Sequence, residues 1–507
     1  MNSLWFSLPS FKLSVSYDNE NMKYLINHGI TFYKSLSAPV KATFWFAFGN
    51  IVQNGIVLLS TPIFTRLLTT KEYGVFTVYM SWYQIVAVFA TLNLSAGVYN
   101  NGLLKYESRR DEFTSSIQGL STTITLFLFI VYLFGINFWS AVFELSPLMM
   151  SAMFIELLFV PAYLFWSAKE RFSYRFRGLI VATMIIALGS PVVGVIAILT
   201  TNHKAEARVL SHVMVEVCVG LALYIYNMRC GRKFFDKEIW KFALVFNLPL
   251  IPHYLSHIVL SQADRIMISR MIGTGEAAIY GVAYTVSMMM TMLTNAINSS
   301  FIPYVYKELK KKEYLGIKKT ANSLLFFVGT GCILVMTFAP EIIKIFAAKA
   351  YSDAIWVMPP IVISVYFIFL YFLYATIEFY YENTRFVTIA SCTGAISNIV
   401  LNYLFIHRYG YFAAGYTTLV CYIILALVHY LFYKKVIQKE KLPVQEIYDI
   451  RFVLLFSLIM LLAMAGIITV YRHILIRYII ALVLVVILAC RRNSVIESIK
   501  GQVKQQQ

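Results

Sequence analysis

The chain lacks the charge that a soluble surface needs. Only 13% of its 507 residues are Asp, Glu, Lys or Arg, against a hydrophobic share of 59% and a mean hydropathy of +0.69; a soluble domain typically carries about 25% charged residues. Long polar insertions are missing as well: no loop on the side read below as outer exceeds roughly 15 residues, too short for a catalytic domain. Six cysteines (Cys218, Cys230, Cys332, Cys392, Cys421, Cys490) are scattered without a CxxC pair, which argues against a zinc ribbon or a disulfide framework and fits small apolar packing residues. Acidic residues are scarce, 25 against 43 Lys and Arg, for a net charge of +18. There is no basic face, aromatic RNA-binding motif or zinc finger to turn that excess toward nucleic acid, so anionic membrane lipids are its expected partners. Paired-carboxylate motifs, a phosphate loop, a nucleophile elbow and a zinc signature are all absent. The expectation is a protein that is not an enzyme and carries no cofactor or metal. Residues 1–36 show no clean apolar core after a basic start, so no cleavable signal peptide is expected.

What the chain has instead is about fourteen apolar stretches, each near the ~20 residues that cross a ~30 Å hydrocarbon core. They are read at 41–65, 74–98, 117–140, 146–166, 178–200, 208–227, 241–262, 277–303, 320–340, 354–377, 384–406, 411–433, 451–471 and 474–490. The fourth and sixth are the weakest, because they carry Glu156 and the pair His212 and Glu216. With both termini cytoplasmic, Lys and Arg divide roughly three to one in favour of the inner loops, as the positive-inside rule requires. The expected fold is an all-α polytopic membrane protein in the bacterial cytoplasmic (inner) membrane. A cytoplasmic tail (1–40) precedes a first lobe (41–227, helices 1–6). A linker (228–240) leads to a second lobe (241–433, helices 7–12). A second linker (434–450), helices 13–14 (451–490) and a cytoplasmic tail (491–507) complete it.

The two lobes are suggested by an internal repeat. TRLLTTKEYGVFTV from Thr65 and SRMIGTGEAAIYGV from Ser269 align at a constant offset, pairing Arg66 with Arg270, Thr70 with Thr274, Glu72 with Glu276 and Val78 with Val282. Six spans separate the copies, so orientation is preserved and the lobes would be parallel repeats with substrate bound between them.

A charge near the bilayer centre costs about 2.5–3.5 kcal/mol on insertion scales, so polar residues inside spans mark cavities or partners. Helix 7 has the richest set: Asn247, Tyr254, His257, Ser261 and Asp264 share a face, Arg265 is one step round, and Pro249 with Pro252 predicts a kink. Helix 1 echoes it with Gln53, Ser60 and Thr61, near Asn50 and Asn54. A water-filled space between lobes and ordinary interhelical hydrogen bonding both explain these faces. Asp264 and Arg265 read either as an outer-end salt bridge holding helix 7 to its neighbours or, for Arg265, as a phosphate clamp, since guanidinium presents a fixed fork to anionic oxygens. His253 and His257 are spaced to share a metal but have no third ligand in view. Helix 10 carries Tyr371, Tyr374 and Glu378 on one stripe, suited to sugar stacking and hydroxyl binding or to packing at an aromatic belt. Helix 8 offers Thr291, Asn295 and Asn298, and helix 11 Asn398 and Asn402.

LPLIPH (Leu248 to His253), SQADRIMISR (Ser261 to Arg270), GEAAIYGVAY (Gly275 to Tyr284), and TPIFTRLL followed by EYG (Thr61 to Gly74) resemble the corresponding helices of bacterial polysaccharide (O-antigen-type) flippases. These belong to the multidrug/oligosaccharidyl-lipid/polysaccharide exporter superfamily. The resemblance implies translocation of undecaprenyl-pyrophosphate-linked oligosaccharide units by alternating access, with polysaccharide polymerase and chain-length regulator proteins as partners. Helix 1 has no arginine between Lys41 and Arg66, unlike the related peptidoglycan-precursor flippases, which argues against that cargo. Candidate substrate contacts are Arg265, Asp264, Arg66, Arg270, Lys41, His257, Asn247, Tyr371 and Tyr374; candidate ion-coupling groups are Glu378, Asp264 and His257. The rival readings are a cation-coupled drug or small-molecule exporter and, more remotely, a membrane-embedded sugar polymerase or ligase. Translation is expected to start at Met22, or residues 1–21 to form a dispensable tail; an amphipathic surface helix anchored by Trp5, Phe6 and Phe11 is opposed by Pro9, Asp18 and Glu20.

Overall fold

The computed structural model describes residues 37–95, 97–443 and 447–504. The expectations for the first residues, including the Met22 start and the Trp5, Phe6 and Phe11 helix, lie outside the described residues. Among the described residues all extended regular structure is helical, and 13 helices are long and apolar enough to cross a bilayer, with a further shorter apolar segment at Ile474–Cys490. The first lobe comprises α1 (Ala38–Leu67), α2 (Thr70–Thr91), α3 (Gly97–Lys105), α4 (Arg110–Phe134), α5 (Ile136–Phe143), α6 (Pro147–Phe172), α7 (Arg177–Thr200) and α8 (Lys204–Gly231). After α9 (Lys237–Asn247), the second lobe holds α10 (Ile251–Met271), α11 (Thr274–Ser287), α12 (Met289–Lys311), α13 (Tyr314–Thr337), α14 (Ala339–Phe346), α15 (Ala354–Tyr380), α16 (Thr384–Tyr409) and α17 (Phe412–Lys439). Helices α18 (Ile450–Thr469) and α19 (Ile474–Lys504) pack outside it against α13.

Local chemistry sets the helix ends. At the repeat motif, Thr69 and Glu72 form a capping box that starts α2: the Thr69 hydroxyl accepts from the Glu72 amide and the Glu72 carboxylate accepts from the Thr69 amide at 2.8 Å. The expected span 74–98 stops at Thr91, because Leu92 and Asn93 turn left-handed (φ 48° and 50°). The expected span 117–140 begins earlier, at Arg110, with Asp111 and Glu112 in its first turn where the helix dipole favours acids, and it ends before Gly135. The expected span 277–303 is two helices meeting at Met288, whose carbonyl oxygen accepts from the Thr291 hydroxyl; such back-bonding bends helices.

Helix 7 breaks where its prolines predict, into α9, a 3-10 turn at Leu248–Leu250, and α10. The two halves serve different lobes. The Trp240 indole of α9 donates to Ser116 O at 2.9 Å, and Ile239 and Ala243 join a core with Tyr99 and Phe113 of the first lobe. Helix α10 packs on α16, α2 and α11.

The pseudo-two-fold relation shows where α2 meets α11. A Cβ on Gly74 would lie 1.9 Å from the Thr274 carbonyl oxygen, and one on Gly275 would lie 3.2 Å from the Thr70 hydroxyl. The repeat pair Thr70 and Thr274 therefore each meet a glycine of the other helix across the axis, and glycine permits backbone-to-helix approach there. In lipid, helix association rests on such close packing, since apolar surface gains little by leaving the hydrocarbon.

Candidate functional site

Between the lobes lies a cavity of about 350 Å³, walled by α1, α2, α7 and α8 on one side and by α10 and α11 on the other. Gln53, Ser60 and Thr61, the polar face expected on α1, line it together with Gln262 and Arg265 of α10.

Two guanidinium groups enter this space, one from each lobe. Arg265 is 8% exposed; it stacks 4.3 Å above the Tyr284 ring centroid and donates through Nη1 to Ser261 O at 3.0 Å and to Gln262 Oε1 at 2.5 Å. Arg208 of α8 is 5% exposed and sits between Phe64 and Phe76, its Cζ 4.1 Å and 4.0 Å from their ring centroids. Its Nε and Nη1 have no hydrogen-bond partner among the described residues. The rings fix the guanidinium by cation–π attraction without neutralising it. Sequence reasoning passed over Arg208; the signal was there, in the spacing of Arg208, His212 and Glu216 along one helical face.

The salt bridge considered from sequence, holding helix 7 to its neighbours, is not formed: neither Asp264 nor Arg265 has an ion-pair partner among the described residues. Adjacent helical positions point about 100° apart, and Asp264 turns into the second lobe, fully buried. Its carboxylate accepts from four donors: the Tyr280 hydroxyl, Thr418 Oγ1 at 2.6 Å, Asn398 Nδ2 at 2.9 Å and Asn402 Nδ2 at 2.6 Å. The polar residues of helix 11 are thus spent on Asp264 rather than on the cavity.

A second chamber of about 360 Å³ shares Gln84 with the first and is lined by His253, Tyr254, His257 and Asn93 among apolar neighbours. No group of three or more His, Cys, Asp or Glu able to hold a metal occurs among the described residues.

The remaining candidates lie elsewhere. Arg66 is exposed and donates to Pro62 O at 2.8 Å and, across the lobes, to Ile345 O at 3.2 Å beside the end of α14. Its repeat partner Arg270 reaches the opposite way, with Nε 3.8 Å from Glu144 Oε1 at the end of α5. Together they tie the lobes reciprocally at one end of the cleft. Lys41 stands in the first turn of α1 and lines neither chamber. Asn247 is buried and donates to Leu92 O, holding α9 against the first lobe. Tyr371 and Tyr374 are buried in the second lobe, stacked on His429 and packed with Tyr433 and Tyr448. Glu378, fully buried, meets His429 Nδ1 at 3.0 Å.

A family described as "Polysaccharide biosynthesis protein" matches residues 40–309, and the MatE family matches residues 249–404. "Lsg locus putative protein 1" of Haemophilus influenzae is 23% identical over 271 residues, which is 52% of this chain; the match spans 65% of that relative's length. Among solved structures, "Lipid II flippase MurJ, inward closed conformation" superposes with a TM-score of 0.65 at 16% identity, covering 88% of this chain and 99% of that one. An inward-facing multidrug resistance MATE family transporter gives 0.58 at 14% identity, covering 77% and 95%.

Proposed function

The chain belongs to the polysaccharide biosynthesis protein family, and from that premise we propose that it is a flippase carrying undecaprenyl-pyrophosphate-linked oligosaccharide units across the bacterial cytoplasmic membrane for O-antigen, capsule or exopolysaccharide assembly, by alternating access of its two lobes. The observation that carries this reading is the pair Arg208 and Arg265, which enter one interlobe cavity from opposite lobes with no carboxylate on either guanidinium among the described residues. An uncompensated buried charge costs on the order of 3–5 kcal/mol, so two of them describe a site built for an anion. A pyrophosphate must shed water to enter the bilayer, and guanidinium forks replace that hydration. The second chamber, with His253, Tyr254, His257 and Asn93, offers hydrogen-bonding groups and a ring to the attached sugars. Ion coupling would rest on Asp264, His257 or Glu378; polymerase and chain-length regulator proteins would receive the product.

The rival is a cation-coupled drug exporter, supported by the MatE match over residues 249–404. Two unpaired guanidiniums repel the cations such an exporter would carry, which favours the anionic cargo. Arg265→Ala should abolish surface glycan export and make lipid-linked units accumulate inside, with the protein still in the membrane, and Arg265→Lys should restore part. Full export in Arg265→Ala, or a deletion strain with intact surface glycan and no accumulation, would sink the proposal.

A further inference from the structure

The first lobe buries a cluster that anion binding does not use. Glu156 of α6, 1% exposed, accepts from the Tyr79 hydroxyl at 2.7 Å, and its other oxygen lies 3.6 Å from His212 Nε2. The other ring nitrogen of His212 shares a hydrogen bond with Ser190 Oγ at 3.0 Å, which fixes the imidazole edge-on between α7 and Glu156. One turn further along α8, Glu216 lines the interlobe cavity with no hydrogen-bond or ion-pair partner among the described residues. Arg208, His212 and Glu216 thus run along one face of α8, and all three reach the cavity wall.

We propose that Glu156, His212 and Glu216 form a proton-binding site of the first lobe that loads and unloads through the interlobe cavity. The argument is one of charge and connection. Glu156 is buried and Glu216 lines the cavity wall, and neither forms an ion pair with Arg208, whose guanidinium is held between Phe64 and Phe76. Burying both as anions without a paired cation is costly, and a proton is the smallest ligand that removes the cost. His212 has Nε2 toward Glu156 and Nδ1 on the hydroxyl of Ser190, itself a cavity-lining residue, an arrangement that lets an imidazole pass a proton between Glu156 and the cavity by way of that hydroxyl. Of the facing groups, α2 presents Tyr73, Tyr79 and Tyr83, α7 presents Ser190, and α6 presents Tyr163, which bonds to Thr183 and lies within electrostatic reach of both Glu216 and the α6 cation Arg171. From α4, Gln118 and Thr122 meet Tyr224 and Asn227 of α8, and the acids Asp111 and Glu112 lie beyond them toward the Gly231 end. Arg265 faces the cluster from across the cavity.

The site lies in the lobe opposite Asp264 and Glu378, and it does not depend on the identity of the cargo. Because Arg208 and the cluster share one helix face, a proton gained there makes the cavity more positive, and an anion at Arg208 favours the proton in return. The test is infrared difference spectroscopy of the full-length protein in lipid vesicles, titrated with pH in the absence of cargo. A protonated-carboxyl C=O band should grow reversibly as pH falls. Glu156→Gln should remove one component and Glu216→Gln another, while His212→Asn should displace the midpoint. Glu216→Gln removes no contact that the fold uses, so it reports even where Glu156→Gln fails to fold. A titrating band unchanged in Glu216→Gln, or one erased by sodium at constant pH, overturns the proposal. Loss of glycan export in Arg265→Ala leaves this band in place, so the two readings fail separately.

Discussion

Asp264→Ala removes the acceptor on which four donors from three other helices converge: Tyr280 of α11, Asn398 and Asn402 of α16, and Thr418 of α17. Interhelical hydrogen bonds in membranes average about 0.6 kcal/mol, and a buried donor left without any partner loses about 1–3 kcal/mol. Rotatable hydroxyls find substitutes more easily than the two amides, so the whole change is expected to cost about 2–5 kcal/mol. Asp264→Asn keeps one oxygen for the Asn398 and Asn402 amides and turns an NH₂ toward Tyr280 and Thr418, whose hydroxyls rotate to accept; about 1–2 kcal/mol is expected. The assay is unfolding of detergent-purified protein by heat or denaturant, followed by circular dichroism. The order should be wild type, then Asn, then Ala, with Tyr280→Phe and Thr418→Val each milder than Ala. An Ala variant as stable as wild type, or more stable than Asn, would refute the view that this carboxylate organises the second lobe.

Arg477 holds α19 to the second lobe through a bidentate pair with Glu341 (2.6 and 2.7 Å) and a bond to Thr337 O at 2.9 Å; Arg477→Ala should cost about 2–4 kcal/mol and make the α18–α19 segment protease-sensitive, and unchanged digestion would contradict this. Asp236 caps α9 by accepting from the Glu238 and Ile239 amides, and its hydrogen bond with the Lys233 ammonium, ahead of the cap itself, holds its carboxyl below the ordinary 3.8. Because the folded value is the lower one, the stabilisation is complete above the unfolded value and is lost as pH falls through the folded one; Asp236→Ala should therefore cost about 1 kcal/mol at neutral pH and converge with wild type in strong acid. For orientation, single cysteines placed near Glu107, Ser173, Phe235, Lys312, Asn383 and Lys441 in a background without Cys218, Cys230 and Cys490 should resist an impermeant thiol reagent in intact cells, and labelling at the Lys312 loop would invert the topology.

The spans were legible because crossing lipid imposes both a length and a composition, and the break at Pro249 and Pro252 was legible because proline removes a backbone donor. The break at Met288 was not: no proline or glycine marks it, and the Thr291 back-bond found there recurs at Thr294 and Ser299 where the helix runs on unbroken. Neighbours in sequence misled at Asp264 and Arg265, where one helical step sends the carboxylate into a lobe and the guanidinium into the cavity. A polar stripe says that a helix has a preferred face without saying what meets it. Tyr371, Tyr374 and Glu378 share such a stripe, but α15 is enclosed by α17, α13 and α11, so the stripe packs inside the lobe. Arg208 was hidden for another reason: the pair His212 and Glu216 counted against the span as a whole, when together with Arg208 they marked the wall of a cavity.

The reciprocal reach of Arg66 and Arg270 bears on how readily the molecule changes state. Both side chains are exposed and reach across the lobes, Arg66 to Ile345 O and Arg270 to Glu144 with its guanidinium also 5.8 Å from the Trp82 ring centroid. An exposed ion pair contributes about 0.2–1 kcal/mol and a net hydrogen bond about 0.5–1.5 kcal/mol, so the two together favour this arrangement of the lobes by roughly 1–2 kcal/mol, a population ratio of about 5 to 30. A ligand that prefers the other state by only about 3 kcal/mol reverses such a ratio. On the alternating-access reading proposed above, the two arginines that the repeat duplicates would serve as a weak, symmetric clasp, loose enough for a single bound anion to release.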